Sequence, residues 1–141
     1  MDRQARIEEQ LAQVPLFSSL SKKEIRQISQ LATPLEQPAG AVLVQEGKVG
    51  HEFIIVLEGE IEIRKGDQVI ATRGPGSYIG EIALIDHRPR TATVVATTPV
   101  SIEVIGQREF AGLLEEVPEL SQQLLATVAR RLADLDNTSD S

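Results

Sequence analysis

Phe53-Ile54-Ile55-Val56-Leu57-Glu58-Gly59-Glu60-Ile61-Glu62-Ile63-Arg64 is the stretch on which the fold turns. Five apolar residues, four of them β-branched or aromatic, make a short run of strand composition. Glu58-Gly59-Glu60 follows as a turn signal, read here as a hairpin. After it, Ile61 and Ile63 alternate with Glu62 and Arg64, the period of a strand with one core face. The same grammar extends outward: Val42-Leu43-Val44 upstream, and downstream Val69-Ile70-Ala71, Thr91 to Ala96 and Val100 to Ile105, with Lys65-Gly66-Asp67 as a second hairpin turn. Val100, Ile102 and Val104 alternate with Ser101 and Glu103, which places Glu103 on the more exposed face. Gly47, Gly50, Gly59, Gly66, Gly74 and Gly76 punctuate these runs. Short strands at close spacing predict an antiparallel sandwich or barrel between about Thr33 and Gly106.

Both flanks read as helix. Ile7, Leu11 and Val14 recur at helical spacing, and Pro15 closes that segment. Ser21 and Glu24 form a capping-box signature with Leu20 and Ile25 at the staple positions, and Ile25, Ile28 and Leu31 follow as a buried stripe ending before Pro34. At the other end, Phe110, Leu113 and Leu114 predict a short helix. Pro118 suits the first turn of a longer one, striped by Leu120, Leu124, Val128, Leu132 and Leu135. That stripe packs on the β-structure, pairs with a second copy of the helix, or both. The whole is one domain: helices over 1–32, β-structure over 33–106 and helices over 107–137.

Composition narrows the function. The chain has 141 residues, 14 Lys+Arg against 21 Asp+Glu, and a net charge of −7. That excess of negative charge argues against nucleic acid or an anionic membrane surface as the principal partner. Cysteine is absent, which excludes disulfides, thiolate metal sites and cysteine nucleophiles. No apolar run approaches the roughly 20 residues of a membrane span, and Met1-Asp2-Arg3-Gln4 opens no signal peptide, so a cytoplasmic protein is expected. Neither His51-Glu52 nor Asp86-His87 has a third partner in view for a metal site or a general-base arrangement. With no P-loop, nucleophile elbow or dinucleotide fingerprint either, the chain reads as a non-enzyme without a bound metal or cofactor.

One segment breaks the strand pattern: Gly76-Ser77-Tyr78-Ile79-Gly80-Glu81-Ile82-Ala83-Leu84-Ile85-Asp86-His87-Arg88-Pro89-Arg90-Thr91. Glu-Ile-Ala-Leu favours a single helical turn, whose free N–H groups attract an anion. Arg90 offers a guanidinium able to grip phosphate bidentately, Thr91 a hydroxyl beside it, and Glu81 an acceptor for a sugar hydroxyl. Gly80 permits close backbone approach. Arg88 is the rival for the phosphate, but its place before Pro89 in the turn suits a solvated side chain. An acceptor, an anion clamp and a glycine-lined wall together describe a ribose phosphate.

Gly80-Glu81-Ile82-Ala83-Leu84 with Pro89-Arg90-Thr91-Ala92-Thr93-Val94 resembles the phosphate-binding cassette of the cyclic nucleotide-binding domain family, and Glu46 to Ile61 is similar to its glycine-punctuated hairpins. The resemblance spans roughly residues 12 to 135. It implies a mainly β fold with flanking helices: a jelly-roll-like double-stranded β-helix barrel with the cassette over 80–91, N-terminal helices and a long C-terminal helix. It also implies a ligand site of Gly80, Glu81, Ile82, Ala83, Arg90 and Thr91, in which Glu81 bonds the ribose 2′-hydroxyl and Arg90 the cyclic phosphate, with Leu132 and Leu135 as a lid on the base. The departures are Ile79, where the family commonly has an aromatic residue, and an aliphatic lid. Nothing after the long helix resembles a DNA-binding output. The expectation is a stand-alone sensor of cAMP rather than cGMP that signals to an unknown effector protein. The alternative is a nucleotide-free interaction scaffold of the same fold.

Overall fold

In the strand Glu52–Glu58 (β3), Phe53, Ile54, Ile55, Val56 and Leu57 are all buried. Successive strand side chains point to opposite faces, so such a run needs cover on both sides. The computed structural model, which describes residues 2–48, 50, 52–80 and 92–139 (side chains to 130, excepting 128), shows what supplies it. Phe53, Ile55 and Leu57 pack against the flanking helices, where Leu11, Phe17, Ile28, Phe110 and Leu120 complete one core. Ile54 and Val56 face inward and join Val44, Ile61, Val94 and Ile102 in a second core between two sheets.

The strands are Thr33–Gln37 (β1), Val42–Val44 (β2), β3, Ile61–Lys65 (β4), Gln68–Arg73 (β5), Tyr78–Ile79 (β6), Thr93–Ala96 (β7) and Val100–Gly106 (β8). One sheet runs β1-β8-β3-β6 and the other β2-β7-β4-β5, and every pairing is antiparallel. Apart from the β4–β5 hairpin, each successive strand lies in the opposite sheet. This is the jelly-roll path expected from the sequence, mainly β with helices at both ends. The described strands form two packed sheets rather than a closed barrel, because the chain passes between them through connections and not through shared hydrogen-bonded strands.

Several local expectations hold. The helices are Arg3–Ala12 (α1), Lys22–Leu31 (α2), Gln107–Glu116 (α3) and Pro118–Ser139 (α4), with a 3₁₀ turn at Pro15–Phe17. The Ser21 capping box is formed in both directions: the Glu24 N–H donates to Ser21 Oγ at 3.2 Å and the Ser21 N–H to Glu24 Oε1 at 2.8 Å. Lys65-Gly66-Asp67 is a hairpin, closed by the Lys65–Gln68 pair with Gly66 at φ +60°.

Others are corrected. Glu58-Gly59-Glu60 is not a hairpin: β3 pairs with β8 and β6, whereas β4 pairs with β5 and β7. It is a corner where the chain changes sheet beside the β7–β8 corner. Thr98 Oγ1 accepts from the Glu60 N–H at 2.9 Å, and the Thr97 N–H donates to the Glu60 carbonyl at 3.0 Å. Two strands escape the pattern. β1 contains a proline at an edge, and β6 is only two residues long. Leu31 leaves the α2 stripe and is 42% exposed, while Ser29 is buried in its stead. Glu103 is 1% exposed, because α1 covers the face of β8 that alternation alone assigned to solvent. Thr91, the expected start of β7, lies outside the described residues, as does the side chain of Val128 on the α4 stripe.

Gly59 is indispensable at its corner. Its φ is +95°, and a Cβ there would overlap the Pro99 carbonyl oxygen and Val100 Cγ1. Gly59→Ala is expected to destabilise the domain by about 2–4 kcal/mol, combining backbone strain with overpacking. Gly66→Ala, where a Cβ meets open space, is expected to cost only about 1–2 kcal/mol of conformational strain. Urea unfolding of both variants checks the difference, and equal losses would contradict the close approach at Gly59.

Candidate functional site

The strands that flank the cassette read from the sequence, β6 and β7, belong to opposite sheets. On the upstream side the chain turns through Gly74-Pro75-Gly76, where Ser77 Oγ donates to the Gly74 carbonyl at 2.7 Å. The Gly76 N–H donates to the Val56 carbonyl and the Val56 N–H to the Ser77 carbonyl, each at 2.8 Å. β6 then continues the ladder, with Tyr78 opposite Ile55 and Ile79 opposite Ile54. Its two side chains part to the two cores. The Tyr78 ring stacks on Phe53 at 5.6 Å, and Phe53 stacks on Phe110 of α3 at 4.5 Å. Ile79, half-buried, packs with the cluster between the sheets. An aliphatic residue at that position therefore serves as core. Gly80 follows, buried and at φ +99°.

On the downstream side β7 lies between β2 and β4, with Val94 and Ala96 in the core between the sheets. Thr93 Oγ1 accepts from the Glu46 N–H at 3.0 Å, and Glu46 Oε1 accepts from the Gly66 N–H at 3.0 Å. One glutamate thus ties the β2–β3 connection to both β7 and the β4–β5 hairpin. Arg64, opposite Thr93 in the ladder, is held by Glu62 at 2.7 Å.

Of the residues singled out from the sequence, Gly80 is described. Glu81, Ile82, Ala83, Arg90 and Thr91 lie outside the described residues, as do Asp86, His87, Arg88 and His51. Leu132 and Leu135 fall within α4, but their side chains also lie outside the described set. Among the described residues no cluster of three or more His, Cys, Asp or Glu side chains could hold a metal ion, and no helix is long and apolar enough to cross a membrane.

Two neighbouring hollows among the described residues lie away from these flanks, along β1, β8 and the end of β3; they share Glu36, Glu58 and Ser101, and α1 borders the inner one. Glu103 opens into the inner one. The sequence reading missed it, although a signal was available. Ile105, two residues on and so on the same face of β8, is apolar and fully buried.

Comparison with known proteins bears on the same region. A family model described as "Cyclic nucleotide-binding domain" matches residues 34–117. A cyclic nucleotide-gated potassium channel of Rhizobium etli is 34% identical over 121 residues, covering 86% of this chain and 34% of the channel. A cAMP-dependent protein kinase regulatory subunit of Mycosarcoma maydis is 37% identical over 121 residues, covering 79% of this chain and 23% of that protein. The crystal structure of the Thermus thermophilus catabolite activator protein superposes with a TM-score of 0.82 at 26% identity, covering 89% of this chain and 62% of that one. The chain thus spans only 34% and 23% of the lengths of these two curated relatives.

The upstream end of the cassette depends on a backbone conformation that glycine alone adopts readily. Gly80→Ala is expected to cost about 1–3 kcal/mol in stability, measured by urea unfolding. An unchanged midpoint would show that the positive φ is not required there.

Proposed function

The chain belongs to the cyclic nucleotide-binding domain family, and from that premise we propose that it binds one cyclic nucleotide per chain, cAMP in preference to cGMP, as a stand-alone sensor module. The observation that supports the reading is a juxtaposition. The family match spans the segment from Gly80 to Ala92, and that segment retains both Glu81 and Arg90. Its flanks are tied into opposite sheets by β6 and β7. In this reading Arg90 pairs with the cyclic phosphate through two parallel charge-assisted hydrogen bonds. Glu81 accepts from the ribose 2′-hydroxyl. Backbone groups of Gly80, Ile82 and Ala83 line the sugar and phosphate, Thr91 adds a hydroxyl, and Leu132 and Leu135 on α4 cover the base. The chain's net charge of −7 does not oppose this, since exposed charges are screened over about 10 Å. The preference for cAMP follows the similarity to cAMP-dependent kinase regulatory subunits.

As a sensor, the domain responds by shifting between conformations that bind the nucleotide with different affinity. The ligand moves that equilibrium only by its differential affinity for the two. The phosphate draws the cassette inward, α4 closes over the base, and the altered α4 surface is what an effector protein or a second copy of the domain reads. The site works by binding, and no catalytic step is assigned to it.

Calorimetric titration of nucleotide-stripped protein is expected to show saturable binding of cAMP near one per chain, with cGMP weaker. Absence of heat from both would replace the sensor reading with that of a nucleotide-free scaffold. Removing a charge from a buried hydrogen-bonded pair costs about 2–5 kcal/mol, so Arg90→Ala is expected to weaken cAMP binding by about 30-fold or more. A loss below about twofold would remove Arg90 from its assigned role. Glu81→Ala is expected to bind cAMP and 2′-deoxy-cAMP nearly alike, whereas the unmodified protein prefers cAMP. A preserved preference in the variant would assign the ribose contact to another group.

A further inference from the structure

Glu103 is the one carboxylate among the described residues that is buried on a sheet face. It stands on β8 in the helix-facing row, opposite Ile55 of β3 and Pro34 of β1. Its neighbours along that face, Phe53 and Ile105, are fully buried and apolar. Its Oε2 atom makes no hydrogen bond. It lines a cavity of about 120 Å³ roofed by α1, whose apolar walls include Ile7, Leu35, Leu57 and Ile102.

The charged groups around this cavity are few. From α1 come Arg3 and Arg6, both largely exposed; from β1 comes Glu36 and from β3 Glu58. Glu58 is engaged by Gln10 of α1, whose Nε2 donates to its Oε1 at 3.0 Å. Burial pushes the Glu103 carboxyl up from its ordinary range to about 7, and Arg3, which favours the charged form, offsets only part of that rise.

We propose that Glu103 is a proton-operated latch for helix α1: while its carboxyl holds a proton, α1 sits closed over β8, and loss of that proton loosens the N-terminal half of the helix from the sheet. An ionised carboxylate needs water or a counter-charge, and Oε2 is itself shielded from solvent and accepts no hydrogen bond. Lifting the start of α1 admits water and lets Arg3 approach. The helix is suited to this. It has ten residues, too short to be stable alone. Its polar ties to α2 are the Gln4–Ser29 hydrogen bond at 2.7 Å and the Glu8–Arg26 ion pair at 3.2 Å. Arg26 is exposed, so that ion pair is weak.

The sign of the linkage is fixed. The folded protein binds the proton more tightly than the unfolded chain, so Glu103 favours the closed state most below its ordinary carboxyl range. That contribution is lost progressively as pH rises toward about 7 and is absent above it.

The test is an NMR titration of the unmodified protein between about pH 5 and 8.5, spanning the raised carboxyl range. It follows the Glu103 side-chain carboxyl carbon and the backbone amides of Arg6, Ile7 and Gln10, with α2 amides as reference. The carboxyl is expected to titrate near 7 and the α1 amides to move with the same midpoint. Hydrogen-exchange protection of α1, corrected for intrinsic rates, should fall about tenfold across the transition while α2 holds. Glu103→Gln is expected to keep α1 closed and its amides flat throughout, and Arg3→Ala to raise the midpoint. A Glu103 midpoint below about 5, or α1 amides that stay still while Glu103 titrates, would overturn the latch. Both can be read in the unmodified protein even if the glutamine variant fails to fold.

Discussion

The two-sided burial of β3 is the constraint on which the rest of the structure depends. Five consecutive apolar side chains leave water together, at about 1.5–3 kcal/mol each for full burial. Because they alternate between faces, no single layer can shelter them. One face calls for a second sheet and the other for helices. Both terminal segments answer the second demand: α1, α2 and the 3₁₀ turn from one end of the chain, and α3 and α4 from the other, meet on Phe53, Ile55 and Leu57. The chain's ends are therefore joined through the middle of one strand.

The same strand anchors the chain just upstream of the proposed cassette. β6 is too short to be stable alone and exists because β3 offers it a free edge, reinforced by the hydrogen bonds of Val56 on either side of Gly76-Ser77. The Phe53–Tyr78 and Phe53–Phe110 contacts link that edge to α3, which leads into α4. A continuous packed path thus runs from the upstream end of the cassette to the helix expected to cover the ligand. β7, at the downstream end, belongs to the other sheet and is held through Thr93 and Glu46.

Burial of polar groups follows a different rule from burial of apolar ones, and Glu103 illustrates it. Alternation with Val100, Ile102 and Val104 places it on a face apart from the inter-sheet core, which is correct. Whether that second face meets water or a helix is a property of the docked α1, not of β8. Leu31 is the converse. Its spacing from Ile28 suggests burial, yet it is 42% exposed while Ser29 is buried.

Local patterns alone determined a good deal about this protein. The positions of the helices, the Ser21 capping box, six of the eight described strands, the Gly66 hairpin and the succession of Gly80, Glu81, Pro89 and Arg90 are all legible from residues near one another in the chain, because capping, alternation and glycine conformation act over a few positions. Tertiary structure alone decided which strands share a sheet. Gly59 looks the same in a hairpin as in a corner, and only the approach of Pro99, forty residues on, makes it a corner. The strands β1 and β6 arise for the same reason, from partners rather than propensity. So does the burial of Glu103, since desolvation depends on what packs above a residue, and that is set by contacts distant in sequence.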